Sequence, residues 1–419
     1  MLSANVLSQL IAIAIYPFIT RMYTPEIFGE FTWFTSMAAI LTIVATGRYE
    51  SAIVLPKSEK KAIAAFQLSL FLNVLFGVLF LLIVLVWKGQ IASLFKQEKL
   101  ISLLPLLPFF VFLSGLWQIL NYFFIRQKKY YNISTYNLTQ SSINSALKCF
   151  FGIKGFIQSG LIWGTFIGRL IAIVSSLMMG KASLKKILKL DKAEIIDTAK
   201  TYSNFPKFVL PQGLLILFAG NLPVLLLSAY FEMGRIGLFS LAFITGFCPV
   251  NLFCESVYQV LFRKMSERFQ NKERIQQDFF LFCKTCIIAI LPVFIIFAFI
   301  SEWVYGILFG SEWKEAGFYL TLMLPWLFMV VLTASLAFIP DLFSQQKTAM
   351  KIEIIHVILI VISLALGIYF QNFNLAIALY CSASTLIRIV KLFWYFRLIK
   401  TYDSSLSGLL YTKSEQSNV

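Results

Sequence analysis

Charge is what this sequence has least of. Only 13% of its 419 residues are charged and 59% are hydrophobic, whereas roughly one-quarter of a soluble globular protein is charged. With a mean hydropathy of +0.79 the chain reads as an integral membrane protein. Apolar runs of about 20 residues, the length that crosses a bilayer, recur from the first residues to about residue 399, leaving no room for a soluble catalytic domain. Other absences narrow the chemistry. There is no Gly-rich phosphate loop, no carboxylate pair at glycosidase-like spacing and no metal-ligand cluster, so neither an enzyme nor a bound cofactor is expected. The cytoplasmic segments are too short for a nucleotide-binding domain, so energy must come from an ion gradient such as protons or sodium, the membrane potential, or downhill movement of substrate. All six cysteines (Cys149, Cys248, Cys254, Cys283, Cys286, Cys381) fall inside apolar runs, where they act as small apolar residues, and no disulfide framework is implied. The first run, MLSANVLSQLIAIAIYPFIT, lacks the basic start and cleavage site of a secretory signal and reads as a retained first helix. The lone His356 reads as a packed helix residue and not a proton relay.

What is present is an apolar pattern with a directional charge bias. The runs predict twelve helices near 3–20, 31–55, 62–87, 101–125, 133–152, 157–180, 205–230, 236–261, 279–301, 317–339, 352–370 and 374–396. With both termini in the cytoplasm, the cytoplasmic loops and tail hold 22 Lys and Arg and the outside loops seven (Arg21, Lys88, Lys96, Lys99, Lys154, Arg235, Lys314). That asymmetry is the positive-inside rule and sets the orientation. Most of the net charge of +16 therefore records topology and does not point to nucleic acid.

The basic segment 181–204 separates residues 1–180 from 205–399, two sets of six helices, with 400–419 as a cytoplasmic tail. The halves share short matches in the same order. Gly29 and Gly237 are 208 residues apart, as are Phe31 and Phe239; Gln127-Lys128 and Gln346-Lys347 are offset by 219, as are Arg169 and Arg388. A duplicated six-helix unit follows, and because six is even both copies enter the membrane in the same direction. The expected architecture is two lobes related by an axis along the membrane normal, V-shaped around a central cavity near the midplane. Pro17, Gly47, Pro105, Pro108, Pro211, Pro223, Pro249, Pro292 and Pro325 interrupt the spans and suit a protein that bends.

Seven basic residues lie within or at the edges of spans: Arg48, Lys148, Arg169, Lys207, Lys284, Arg388 and Lys391, against two intramembrane acids, Glu50 and Glu255. Membrane-embedded charges normally face a bundle interior or a water-filled cavity. Lys207, Lys284 and Lys391 sit near membrane faces, where long stems snorkel. On a continuous helix Arg48 lies about 13 Å from Lys57 at 1.5 Å per residue, and Arg48 and Glu50 point to opposite faces. Each then needs another partner, and Arg48 with Glu255, or Glu50 with Lys207, is the expected gating pair. A net positive interior favours an anionic ligand, and the planar guanidinium fork suits phosphate.

Two stretches also carry a resemblance. ITRMYTPEIFGEF with GRYESAIVLPKSEKKA, and in the second half YSNFPKFVLPQ with VYQVLFRKMSE, resemble the polysaccharide transporter family, which holds O-antigen and capsule repeat-unit flippases. Its superfamily also holds the lipid II flippase and the multidrug and toxic-compound extruders. The resemblance implies a bacterial cytoplasmic-membrane flippase that moves an undecaprenyl-pyrophosphate-linked oligosaccharide outward, with a polysaccharide polymerase and chain-length regulator as further partners. It implies a cavity lined by helices 1, 2, 7 and 8, raising Arg48, Glu50, Lys207 and Glu255 over Arg169 and Arg388. The N-terminus departs from the pattern in lacking the short segment usual before helix 1. The competing readings are a cation antiporter of the extruder branch, which calls for cavity acids, and a glycan polymerase or ligase, which calls for a sizeable periplasmic loop.

Overall fold

A computed structural model describes residues 2–94, 101–184 and 192–416. The stretch holding Lys96 and Lys99 and residues 185–191 of the expected linker lie outside them. Among the described residues the chain is all helical. It divides into two compact units, Met1–Ser240 and Leu241–Val419.

The first unit contains α1 (Leu2–Ala14), α2 (Tyr16–Ile19), α3 (Pro25–Ala45), α4 (Glu59–Leu94), α5 (Leu106–Arg126), α6 (Tyr130–Ile153), α7 (Gly160–Leu184), α8 (Lys192–Thr201) and α9 (Leu210–Leu227). A 3-10 segment, Tyr49–Val54, follows α3, and a π-type segment, Phe205–Val209, precedes α9. Next comes α10 (Met233–Gln270), whose first two turns belong to the first unit. The second unit continues with α11 (Gln276–Ala289), α12 (Leu291–Phe309), α13 (Lys314–Ala334), α14 (Ile339–Leu342), α15 (Gln346–Tyr369) and α16 (Phe373–Gln416).

Ten helical stretches among the described residues are long and apolar enough to cross a membrane. They coincide with ten of the twelve expected spans. The expected span at 3–20 is instead the short pair α1 and α2, and that at 133–152 is α6, long enough at 24 residues but too polar. The single helices expected over 31–55 and 279–301 are each broken, the first after Ala45 and the second at Ile290 ahead of Pro292. Proline explains other boundaries, because a residue without an N–H is tolerated in a helix's first turn. Pro17, Pro211 and Pro292 open helices, whereas Pro223, Pro249 and Pro325 lie inside them.

A polar helix needs tight partners, and α6 has one in α7. Gly160, Gly164 and Gly168 recur every four residues on α7, which puts them on one face. An added Cβ on Gly164 would sit 3.0 Å from the Lys148 backbone nitrogen, and one on Gly168 2.9 Å from Asn144 Cα. Small residues at this spacing let membrane helices meet backbone to backbone, replacing the hydrophobic drive that lipid cannot supply. A second such approach joins α3 to the start of α10: a Cβ on Gly29 would collide with the Met233 carbonyl oxygen, and one on Gly237 with that of Pro25.

Helices α3 and α13 are the most enclosed of the spans, whereas α4, α11–α12 and α15 present apolar side chains outward, among them Phe71, Leu82, Phe299 and Ile355. These outward faces read as the lipid-contacting surface. Helix α4 departs from helical geometry at Trp87 (φ −112°, ψ 17°). At its other end it meets α8 through Lys60–Glu194 and Lys61–Asp197, both 3.1 Å.

Candidate functional site

The helix that should carry Arg48 and Glu50 stops short of both. Gly47 (φ +59°) and Arg48 (φ +62°) adopt consecutive left-handed conformations, and the chain resumes as a 3-10 turn at Tyr49. For an L-residue such as Arg48 this conformation costs about 1–2 kcal/mol. The break corrects both the helical depth ruler and the rotation argument, since 100° per residue no longer applies. The two side chains instead come together, with Arg48 Nη1 3.6 Å from Glu50 Oε1. Glu50 is fully buried and the Arg48 side chain 26% exposed. At 3.6 Å the contact is longer than a charge-assisted hydrogen bond. The Arg48 Nε is buried without a hydrogen-bond partner. The guanidinium lies against α9: a Cβ on Gly213 would stand in ordinary van der Waals contact with it, 3.4 Å from Nε and 3.5 Å from Nη2, and would collide with Ile43 Cδ1 at 2.5 Å.

A second arginine, counted in the sequence only as loop charge, holds this turn in place. Arg126, at the end of α5, donates to the carbonyls of Ile53 at 3.1 Å, Pro56 at 2.8 Å and Ser58 at 3.4 Å. The Tyr49 hydroxyl donates to Ala199 O at 3.1 Å, tying the turn to α8.

The other expected charges are dispersed. Lys207 is exposed on the π-type segment, and no ion pair joins it to Glu50 among the described residues. Glu255 is exposed on α10 in the second unit, where its Oε1 accepts from Asn251 Nδ2 at 2.9 Å. Lys148 is buried on α6, its ammonium 4.4 Å from the centre of the Phe31 ring, a cation–π contact. Arg169 lies 4.3 Å over the Phe110 ring and donates from Nη1 to Ser114 Oγ. Arg388 donates from Nη1 to Thr333 Oγ1 at 2.9 Å.

Sequence reasoning missed an ion-pair cluster in the second unit. Glu353 on α15 pairs with Lys391 on α16 and faces His356 Nδ1 at 3.4 Å, while His356 Nε2 meets Ser384 Oγ at 3.1 Å. The three-residue spacing of Glu353 and His356 on a helix was the available signal. Lys391, expected at a helix end, is thus an ion-pair residue of the second unit's interior. No group of three metal-ligating side chains occurs among the described residues.

A family profile described as "Polysaccharide biosynthesis protein" matches residues 18–317. The succinoglycan biosynthesis transport protein ExoT of Rhizobium meliloti (strain 1021) is 20% identical over 306 residues, 72% of this chain and 59% of that protein. The chain therefore spans less than two-thirds of the length of the curated relative it matches. Among solved structures, the lipid II flippase MurJ in an inward closed conformation aligns with a TM-score of 0.73 and 14% identity, covering 98% of this chain and 91% of that one. An inward-facing multidrug resistance MATE family transporter of the MOP superfamily aligns with a TM-score of 0.67 and 14% identity, covering 96% and 99%. At such identities the likeness speaks for the fold, and it bears out the helical membrane fold expected from the resemblance. The matched profile takes in the Arg48–Glu50 turn, Lys207 and Glu255, and the chain belongs to the polysaccharide biosynthesis protein family.

Proposed function

We infer that the protein is a flippase, which carries an undecaprenyl-pyrophosphate-linked oligosaccharide outward across the bacterial cytoplasmic membrane by alternating access and performs no covalent chemistry. The observation that carries this reading is Arg48, a partly exposed guanidinium held in a strained turn with only a loose 3.6 Å carboxylate contact. Such a group has unused donors for a pyrophosphate, and a bidentate arginine–phosphate contact is stronger than the one it has. Glu50 then acts as the resting counter-ion that the pyrophosphate displaces. The family assignment and the names borne by the similar proteins, a succinoglycan transport protein and a lipid II flippase, support the substrate class. Coupling to a proton or sodium gradient, a cavity along the first, second, seventh and eighth of the twelve expected spans, cytoplasmic termini, and work alongside a polymerase and chain-length regulator complete the reading.

The test is flipping of a defined lipid-linked oligosaccharide in proteoliposomes, with and without a proton or sodium gradient. Arg48→Ala should abolish flipping, whereas Glu50→Gln should tighten pyrophosphate binding by freeing the guanidinium. No flipping by the wild type together with ethidium efflux would favour a cation extruder instead. Weaker pyrophosphate binding in Glu50→Gln would remove the counter-ion role.

A further inference from the structure

In the first unit, α1 and α6 enclose a groove of about 360 Å³. Six of its lining residues, Ser8, Gln9, Asn137, Gln140, Ser141 and Asn144, carry hydroxyls or amides, and none carries an acid. Four of the six lie on α6 at spacings of three or four, so they form one polar stripe along the helix. Such a stripe is expensive in a membrane protein unless it faces polar company, because an amide in an apolar setting without a hydrogen bond costs free energy. Part of the stripe is used within the protein: Ser141 Oγ donates to the Ser8 carbonyl at 2.6 Å and fixes α1 to α6. Part is not. The Asn144 Oδ1 is buried with no hydrogen-bond partner, and the Gln140 side chain lines the groove beside it. One turn beyond Asn144, Lys148 presents its ammonium to the Phe31 ring and pairs with no carboxylate among the described residues.

We propose that this groove is a glycan subsite, in which the amides of Asn137, Gln140 and Asn144 hydrogen-bond the hydroxyls of a mono- or disaccharide. The chemistry of the lining selects that class. Amides and hydroxyls both donate and accept, as sugar hydroxyls do. With no carboxylate in the lining, a metal ion or an organic cation would find no counter-charge there. The volume sits at the small end of the roughly 300–1,000 Å³ typical of small-molecule sites. The proposal rests on the flippase reading and adds the place where the sugar part of the substrate is recognised.

The experiment uses the full chain in nanodiscs and two kinds of probe: farnesyl pyrophosphate alone, and farnesyl pyrophosphate linked to glucose, galactose or N-acetylglucosamine. At least one sugar-bearing probe should bind the wild type more tightly than the bare one. Gln140→Met with Asn144→Leu, which keep side-chain bulk, should erase that preference, about tenfold for two ordinary hydrogen bonds. Affinity for the bare probe should stay as in the wild type, which also reports that the variant is folded. Should the double variant bind neither probe, Gln140→Met alone carries the same comparison. A preference that survives the substitutions, or no preference in the wild type for any sugar, overturns the subsite and leaves the flippase reading standing. Failure of the wild type to bind the bare probe overturns the flippase reading itself, and the subsite with it.

Discussion

Arg388 donates to the Thr333 hydroxyl 55 residues before it, and Arg169 donates to the Ser114 hydroxyl, also 55 residues before it. Donors and acceptors are both offset by 219 between the halves. In each case the Nε of the arginine is buried without a partner. Matching residue types at matching offsets can arise by chance, but a repeated donor–acceptor pair with the same atom left over is what a duplicated unit would retain. The contact is an arginine–hydroxyl latch between the fourth and sixth expected spans of each half.

These latches predict opposite signs for their two partners. A buried charge satisfied by a hydroxyl and a ring is costly to enclose, and apolar replacement of buried charged groups is often neutral or stabilising by about 1–4 kcal/mol. Arg169→Met should therefore hold or raise the thermal midpoint in detergent. Ser114→Ala keeps the charge and removes its acceptor, and should lower stability by about 1–3 kcal/mol. A midpoint that falls in Arg169→Met and holds in Ser114→Ala would contradict this account.

The Gly29–Gly237 approach predicts intolerance of a single methyl. In either alanine variant the new Cβ meets a backbone carbonyl, which cannot rotate away, so α3 and α10 must separate. Overpacking of this kind costs about 1–3 kcal/mol. Gly220→Ala on α9 is the control: nothing lies within 4 Å of its Cβ position, and a helical Gly→Ala change should stabilise by up to about 1 kcal/mol. Thermal denaturation of the three variants checks the ranking.

Arg126 predicts a difference between arginine and lysine. Its planar fork reaches three carbonyls of the 53–58 stretch at once, a geometry an ammonium does not reproduce. Arg126→Lys should speed amide exchange across residues 49–58, measured by hydrogen–deuterium exchange, and should lower flipping even though position 126 bears the same charge.

Asp403 predicts a local effect far from any candidate site. From α16 its two oxygens accept the backbone amides of Ile275 at 3.2 Å and Gln276 at 3.0 Å, where α11 begins. Capping by a carboxylate satisfies amides that have no intrahelical acceptor. Asp403→Ala should cost about 0.5–2 kcal/mol and raise exchange at the start of α11 first.

Much of the fold was legible because a bilayer enforces a long apolar run per crossing, and ten of the twelve expected spans are such runs. The polar α6 was legible by length alone, and its partner signal, glycine every four residues on α7, went unread. The candidate site was legible only as composition. Arg48 and Glu50 stand out in the sequence as charges within an apolar run, but their relation there depends on a helix that Gly47 ends, and a glycine followed by a left-handed arginine has no periodicity to reveal it. Glu353 escaped because it lies at the edge of an expected span, where a charge attracts no attention until its partner on another helix is known.

The departure from helical geometry at Trp87 has a consequence for where this protein can work. From Ala62 to Val86 the apolar stretch of α4 measures about 36 Å at 1.5 Å per residue, longer than a hydrocarbon core about 30 Å thick. Hydrophobic mismatch of this sign is relieved by tilting, by bending, or by thickening the surrounding lipid. A tryptophan suits the headgroup level, so the bend there lets the segment beyond it turn along the surface while the rest stays immersed. In vesicles of graded acyl-chain length, the preferred bilayer should be one thick enough to cover Ala62 through Val86, and thin membranes should penalise α4 before any other helix of the first unit.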